Sequence, residues 1–183
     1  MSIRERDIED VLYSRPHLIP DIYIGIGIAK WLARQYSVPS GRIDLLGLVD
    51  CGAWKSPVVV ELKRGPIDDH ALTQVCRYAG DIANIIEIIS NTYGVLSVGD
   101  ARVLKVVIGQ SIDHKTHLAA DGMGVIVFTY SAAQPDKLAL TSVEERNTTQ
   151  RWGSYEQLSQ DSPFEYWVKQ ARAEIAKLFR GAA

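Results

Sequence analysis

Cysteine is scarce in this chain: Cys51 and Cys76 are the only two in 183 residues, and they form no CxxC motif. That excludes a disulfide framework and a cysteine-built zinc site, and it predicts buried thiols in a reducing compartment. Also missing is any uncharged apolar run long enough to cross a bilayer, and the opening Met-Ser-Ile-Arg-Glu-Arg-Asp does not have the pattern of a signal peptide. The expectation is a cytoplasmic protein with no membrane partner. Basic charge is not in excess either. Lys and Arg number 20 against 22 Asp and Glu, a formal net charge of −2, which excludes a protein that coats nucleic acid by charge alone. No internal repeat, heptad array or low-complexity segment is present, so solenoids and coiled coils drop out. Gly25-x-Gly27 has no third glycine and no strand-to-helix unit after it, so it is not a phosphate-binding loop. What is left, with 46% hydrophobic and 23% charged residues, is one soluble globular domain with an ordinary core.

The informative stretch runs from residue 41 to 78. Residues 43–49 (Ile-Asp-Leu-Leu-Gly-Leu-Val) and 57–63 (Pro-Val-Val-Val-Glu-Leu-Lys) read as short, largely buried strands. The connection between them reads as a turn, which makes them antiparallel neighbours. At a period of two, Val58, Val60 and Leu62 face one way while Val59, Glu61 and Lys63 face the other. A carboxylate and an ammonium inside a Val-rich strand cost several kcal/mol or more unless they are paired or bind an ion. Asp44 is placed to meet Glu61 across the strand pair. With the Leu62 carbonyl, the two carboxylates make an all-oxygen site suited to a hard cation, Mg²⁺ or Mn²⁺, and Lys63 sits beside it. A purely structural ion pair of Glu61 with Lys63 or Arg42 is the reading that competes with this one.

Asp44 followed by Glu61-Leu62-Lys63 resembles the Asp…Glu-x-Lys core of the PD-(D/E)XK phosphodiesterase superfamily. The extended run 43–47, 58–64, Gln74 and Tyr78 is similar to the nuclease domain of NucS-type (EndoMS) endonucleases, and the resemblance spans residues 2 to about 130. It implies an α/β, restriction-endonuclease-like core, a mixed central sheet flanked by helices, that hydrolyses DNA with a divalent metal. Asp44, Glu61 and Leu62 would be the metal ligands. Glu5, Asp44, Glu61, Lys63, Gln74 and Tyr78 would be the catalytic set, with Lys63 orienting water or stabilising negative charge and Gln74 and Tyr78 positioning the scissile strand. Beside the resemblance, charge clustering gives a basic rim of Lys30, Arg34, Arg42, Lys55, Arg64 and Arg77, with Arg42, Arg64 and Arg77 as the DNA contacts; the competing reading of the same residues is a solvated mixed-charge surface. Which DNA structure is cut is in none of these motifs. The rival from another class is a catalytically inactive nuclease-fold module that binds nucleic acid or a protein partner.

The first helix is predicted from Ile3 to Tyr13 on the spacing of Ile3, Ile8, Val11 and Leu12, with Pro16 beyond its end. Ser2 and Glu5 fit a capping box, which would leave Glu5 a purely local role; the resemblance instead sends Glu5 into the metal site, with Glu9 its substitute one turn on. Residues 23–28 read as a glycine-loosened loop or edge segment, and the resemblance places a strand within 29–36. Asp68 or Asp69 caps a long helix that puts Gln74 and Tyr78 on one face. Strands at 103–108 and 125–130, a short helix at 113–121 between them and an edge strand at 138–143 complete a parallel α/β arrangement. His114-x-x-His117 has ligand-type side chains but no third partner. Residues 1–143 are thus the nuclease-like domain. Residues 144–183 are a polar connection and a helix capped by Ser162-Pro163, packed on the same domain or making a homodimer contact.

Overall fold

A computed structural model describes residues 3–19, 22, 27–50, 55–93, 103–132 and 134–143, with the backbone alone for 55, 89–93 and 135. Ser2, Cys51, the segment 23–26, the turn expected over 51–54, the Lys55 side chain, and the connection and helix expected over 144–183 lie outside what it describes. Among the described residues no helix is long and apolar enough to cross a membrane.

The chain opens with helix α1 (Glu5–Ser14), and Ile8 and Leu12, one turn apart, are fully buried on it. Its start differs from expectation. Arg4 is the N-cap, and Asp7 closes the box by accepting from the Arg4 amide at 3.0 Å and pairing with its guanidinium at 2.8 Å. Asp7 holds the N3 position and Glu5 is N1, where a side chain cannot reach back to make the capping-box bond. Glu5 is therefore released from local capping.

Strands β1 (Lys30–Val38), β2 (Gly41–Asp50) and β3 (Lys55–Leu62) form an antiparallel meander. The pairing sets Leu45 against Val60 and Leu46 against Val59. One further step in that register brings Asp44 opposite Glu61. After β4 (Pro66–Ile67) comes helix α2 (Asp69–Tyr93), capped by Asp68, whose carboxylate accepts from the Ala71 amide at 2.8 Å. Then follow β5 (Leu104–Gly109), β6 (Ser111–Ile112), α3 (His114–Gly122), β7 (Val125–Ser131) and β8 (Ala139–Ser142). The main sheet has the order β1-β2-β3-β5-β7-β8, with β3, β5 and β7 parallel and both flanks antiparallel. The parallel joints follow from the helical crossovers, since two parallel strands need a long connection.

Three layers result. On one face Ile8 and Leu12 of α1 pack with Leu45, Val58, Val60, Leu62, Ile108 and Phe128. On the other, Leu72, Val75 and Ile82 of α2 and Ala120 of α3 cover Val59, Val107 and Val127. Each fully buried aliphatic side chain contributes about 1.5–3 kcal/mol. The alternation predicted for 58–63 is thus the division between the two cores. Sequence patterning missed β4 and β6, a parallel two-stranded ribbon. Gly109 permits it: a Cβ there would lie 2.5 Å from Ile67 Cγ1 and 3.0 Å from the Gly65 carbonyl.

Candidate active site

The loop after β3 carries Lys63, Arg64 and Gly65, and three separate elements hold it. The Lys63 amide donates to the Ile108 carbonyl and the Gln110 amide to the Gly65 carbonyl, both at 2.8 Å. The Tyr130 hydroxyl donates to the Arg64 carbonyl. From α1, Glu5 Oε2 accepts the Arg64 amide at 3.1 Å. Glu5, at the first turn of its helix, therefore reaches the loop that presents Lys63.

Glu61 is 3% exposed at the end of β3. Its Oε1 accepts from Lys63 Nζ at 2.7 Å, whereas Oε2 has no hydrogen-bond partner among the described residues. Burial, then the nearby Asp44 charge, push the Glu61 carboxyl up to about 7 despite the Lys63 contact. Asp44 is half-buried, and its Oδ2 accepts the Leu62 amide at 2.8 Å. Desolvation raises its pKa above the ordinary value, the Leu62 and Gln35 hydrogen bonds oppose the rise, and Glu5 and Glu9 add to it. For Lys63, burial alone would lower the pKa; the hydrogen bond and charge of Glu61, with Glu5 and Asp44 behind it, outweigh that and hold the ammonium above its ordinary value. Lys63 is thus a fixed cation and not a proton acceptor at neutral pH.

Helix α2 supplies the next layer. Lys63 Nζ also donates to Gln74 Oε1 at 3.1 Å, and Gln74 Nε2 donates to Tyr78 Oη at 2.6 Å. Tyr78 is 2% exposed, and its Oη accepts the Arg42 amide at 3.2 Å as well. Gly41, with φ +145°, makes room: a Cβ there would sit 2.8 Å from that hydroxyl. Four of the six proposed catalytic side chains, Glu61, Lys63, Gln74 and Tyr78, thus form one hydrogen-bonded chain from β3 through the following loop to α2. Asp44 joins at the Leu62 amide and Glu5 at the Arg64 amide. Arg42, Arg64 and Arg77 are exposed, and the first two join the group through their backbone amides.

Of the basic rim, Arg34 is already engaged: it pairs with Glu9 at 2.8 Å and Asp10 at 2.7 Å and lies 5.4 Å over the Tyr13 ring. Two residues at the site went unrecognised in the role they take. Glu9 is buried and bonds Arg34 and Gln35. Gln35 bridges Glu9 and Asp44. The only available signal was position, since Gln35 stands in the strand before Asp44. His117 is buried, with Nε2 3.0 Å from the Val143 carbonyl. Cys76 is a half-buried free thiol. Among the described residues no group of three or more His, Cys, Asp or Glu is gathered to hold a metal ion. Asp44 and Glu61 are two carboxylates on neighbouring strands, and the Leu62 carbonyl is the third oxygen expected from the sequence. The unpartnered, buried Glu61 Oε2 fits a cation, because an ionised oxygen out of water is costly unless something positive neutralises it.

Comparison with known proteins finds a family and a shared fold. A family model described as the endonuclease NucS C-terminal domain matches residues 4–127, a span that contains every residue of the site. The endonuclease NucS of Methanocaldococcus jannaschii is 30% identical over 90 residues, covering 49% of this chain and 28% of that protein. A structure titled as an EndoMS–dsDNA complex aligns with a TM-score of 0.50 at 21% identity, over 71% of this chain and 45% of that one. A repair endonuclease from Pyrococcus abyssi aligns at 0.48 and 21%, over 74% and 49%. The EndoMS likeness is one of fold, a mixed α/β architecture on a central mixed sheet. The chain spans less than half the length of each of these relatives.

Proposed function

Because this chain belongs to the endonuclease NucS C-terminal domain family, we propose that it is a metal-dependent DNA endonuclease with a PD-(D/E)XK site. The observation that carries this reading is Glu61: a buried carboxylate with one oxygen on Lys63 and the other without a partner, beside Asp44. Asp44, Glu61 and the Leu62 carbonyl would hold Mg²⁺ or Mn²⁺. When bound, that cation supplies Lewis-acid polarisation of a phosphate oxygen and lowers the pKa of a coordinated water.

The chain's own residues do the rest. Lys63, a permanent cation at neutral pH, faces the negative charge that accumulates on the phosphorus oxygens as the phosphodiester is attacked, and it stabilises the transition state more than the ground state. Gln74 fixes the ammonium between its own carbonyl and Glu61, and Tyr78 fixes Gln74. Lys63 thus pays little reorganisation cost during the reaction. Glu5 holds the Arg64 amide, and with it the loop, and its carboxylate adds negative charge where cations bind. Arg42, Arg64 and Arg77 would neutralise the DNA backbone on either side.

The test is cleavage of duplex, mismatched, branched and single-stranded DNA in Mg²⁺, Mn²⁺, Ca²⁺ or EDTA. Cleavage is expected with the first two, little with Ca²⁺, whose looser geometry orders a reactive water poorly, and none with EDTA. Asp44→Ala and Lys63→Ala should remove turnover while the fold persists. Cutting that survives excess EDTA overturns the metal site. DNA binding without cutting under every condition would favour an inactive module.

A further inference from the structure

Gln35 is, among the described residues, the only one other than glycine with a positive φ, +48°. It lies in the edge strand β1, just past the irregularity between Trp31 and Ala33. The left-handed region is unfavourable for a residue with a Cβ, and such strain persists only where the surroundings over-determine it. The neighbours of Gln35 are regular: Arg34 pairs with Leu45 and Tyr36 with Ile43. Gln35 therefore stands across from Asp44.

Its amide nitrogen makes two bonds, to Glu9 Oε2 at 2.8 Å and to Asp44 Oδ1 at 3.1 Å. The other Asp44 oxygen takes the Leu62 amide at 2.8 Å. Asp44 is thereby held at both oxygens, from two different strands, and cannot turn about its last torsion without losing a bond. Glu9 is fixed in turn by Arg34. A primary amide suits this place, since it offers two donors and no charge between two carboxylates that repel each other. A lysine would compete with the bound cation, and a glutamate would add a further negative charge.

We infer that Gln35 is a positioning residue: it holds Asp44 in the orientation that receives a divalent cation and couples that orientation to helix α1 through Glu9. This rests on the reading of Asp44 and Glu61 as cation ligands. Residues that orient metal ligands change metal affinity or activity by about 10–100-fold when removed. The strained backbone gives the role a signature that a merely structural residue would not show, namely a loss of cation affinity with stability kept or, where the strain is relieved, raised.

The experiment titrates Mn²⁺ alone into the full chain by calorimetry and records melting in EDTA, for wild type, Gln35→Gly and Gln35→Asn. Glycine relieves the positive φ. Asparagine tolerates it but is one methylene too short to bridge both carboxylates. Both variants should melt at or near the wild-type temperature, Gln35→Gly at or above it. Both should bind Mn²⁺ about 10–100-fold more weakly, with a matching fall in kcat and little change in KM for DNA. Wild-type Mn²⁺ affinity in either folded variant overturns the proposal while leaving the cation site standing. Failure of the wild type itself to bind Mn²⁺ removes the cation site, and the proposal with it.

Discussion

Replacing Glu61 by glutamine should stabilise the metal-free protein at high pH and do nothing at low pH. The folded state holds this carboxyl near 7 against an ordinary 4.5, because of burial first and the Asp44 charge second. Between those two values the folded chain keeps a proton that the unfolded chain has released. Stability therefore falls as pH rises through that window, from about 4.5 to about 7, and stays lower above it. A tenfold change in proton affinity is about 1.4 kcal/mol, so the ionised carboxylate costs the fold about 3 kcal/mol, net of the contact with Lys63. An amide at this position mimics the protonated carboxyl at every pH and still offers an oxygen to Lys63. For a chain of this size about 1 kcal/mol moves Tm by ~2–4 °C. Melting at pH 8 in EDTA should thus rise by ~6–12 °C in Glu61→Gln, and the two proteins should converge near pH 4.5. Added Mn²⁺ should raise the wild-type Tm and leave the variant unmoved. A Glu61→Gln protein that melts below wild type at pH 8 without metal would make the carboxylate a net stabilising partner of Lys63 and nothing more.

Tyr78→Phe keeps the buried ring but leaves the Arg42 amide and Gln74 Nε2 without their acceptor; a loss of about 1–3 kcal/mol in urea unfolding is expected, with slower turnover as Lys63 loses its backing, and an unchanged cleavage rate would detach the α2 relay from catalysis. Glu5→Gln still presents an oxygen to the Arg64 amide, so Tm should shift by no more than a degree or two. Its cleavage rate should fall steeply if the charge serves the reaction; full activity would reduce Glu5 to a tether for the loop.

Much of the site was legible because it depends on periodicity. The period of two put Glu61 and Lys63 on one face of β3. A short connection made β2 antiparallel to it, and the 3.6-residue turn of α2 aligned Gln74 with Tyr78. These relations hold wherever a strand or helix forms, so β2, β3 and the Gln74–Tyr78 face of α2 could be read from residue types and spacing, whereas β4 between them could not. The same local regularities predicted the parallel strands β5 and β7, the helix between them and the edge strand β8.

The sequence by itself therefore determined the two-sided strand that sets a carboxylate and an ammonium in an apolar sheet, and the family to which that run belongs. Only the tertiary structure decided how those charges are used. The hydrogen bond from Glu5 to the Arg64 amide spans residues that no local pattern relates, and Asp7 took over the cap expected of Glu5. Arg34, counted among the basic rim, is spent on Glu9 and Asp10 of a helix that packs against its strand. Gln35 reaches Asp44 through a single left-handed residue after a strand irregularity. Periodicity sets which face a side chain leaves from, but the last few ångströms to a partner depend on how separate elements pack. Orientation of a carboxylate, unlike its presence, is a property of those long-range contacts.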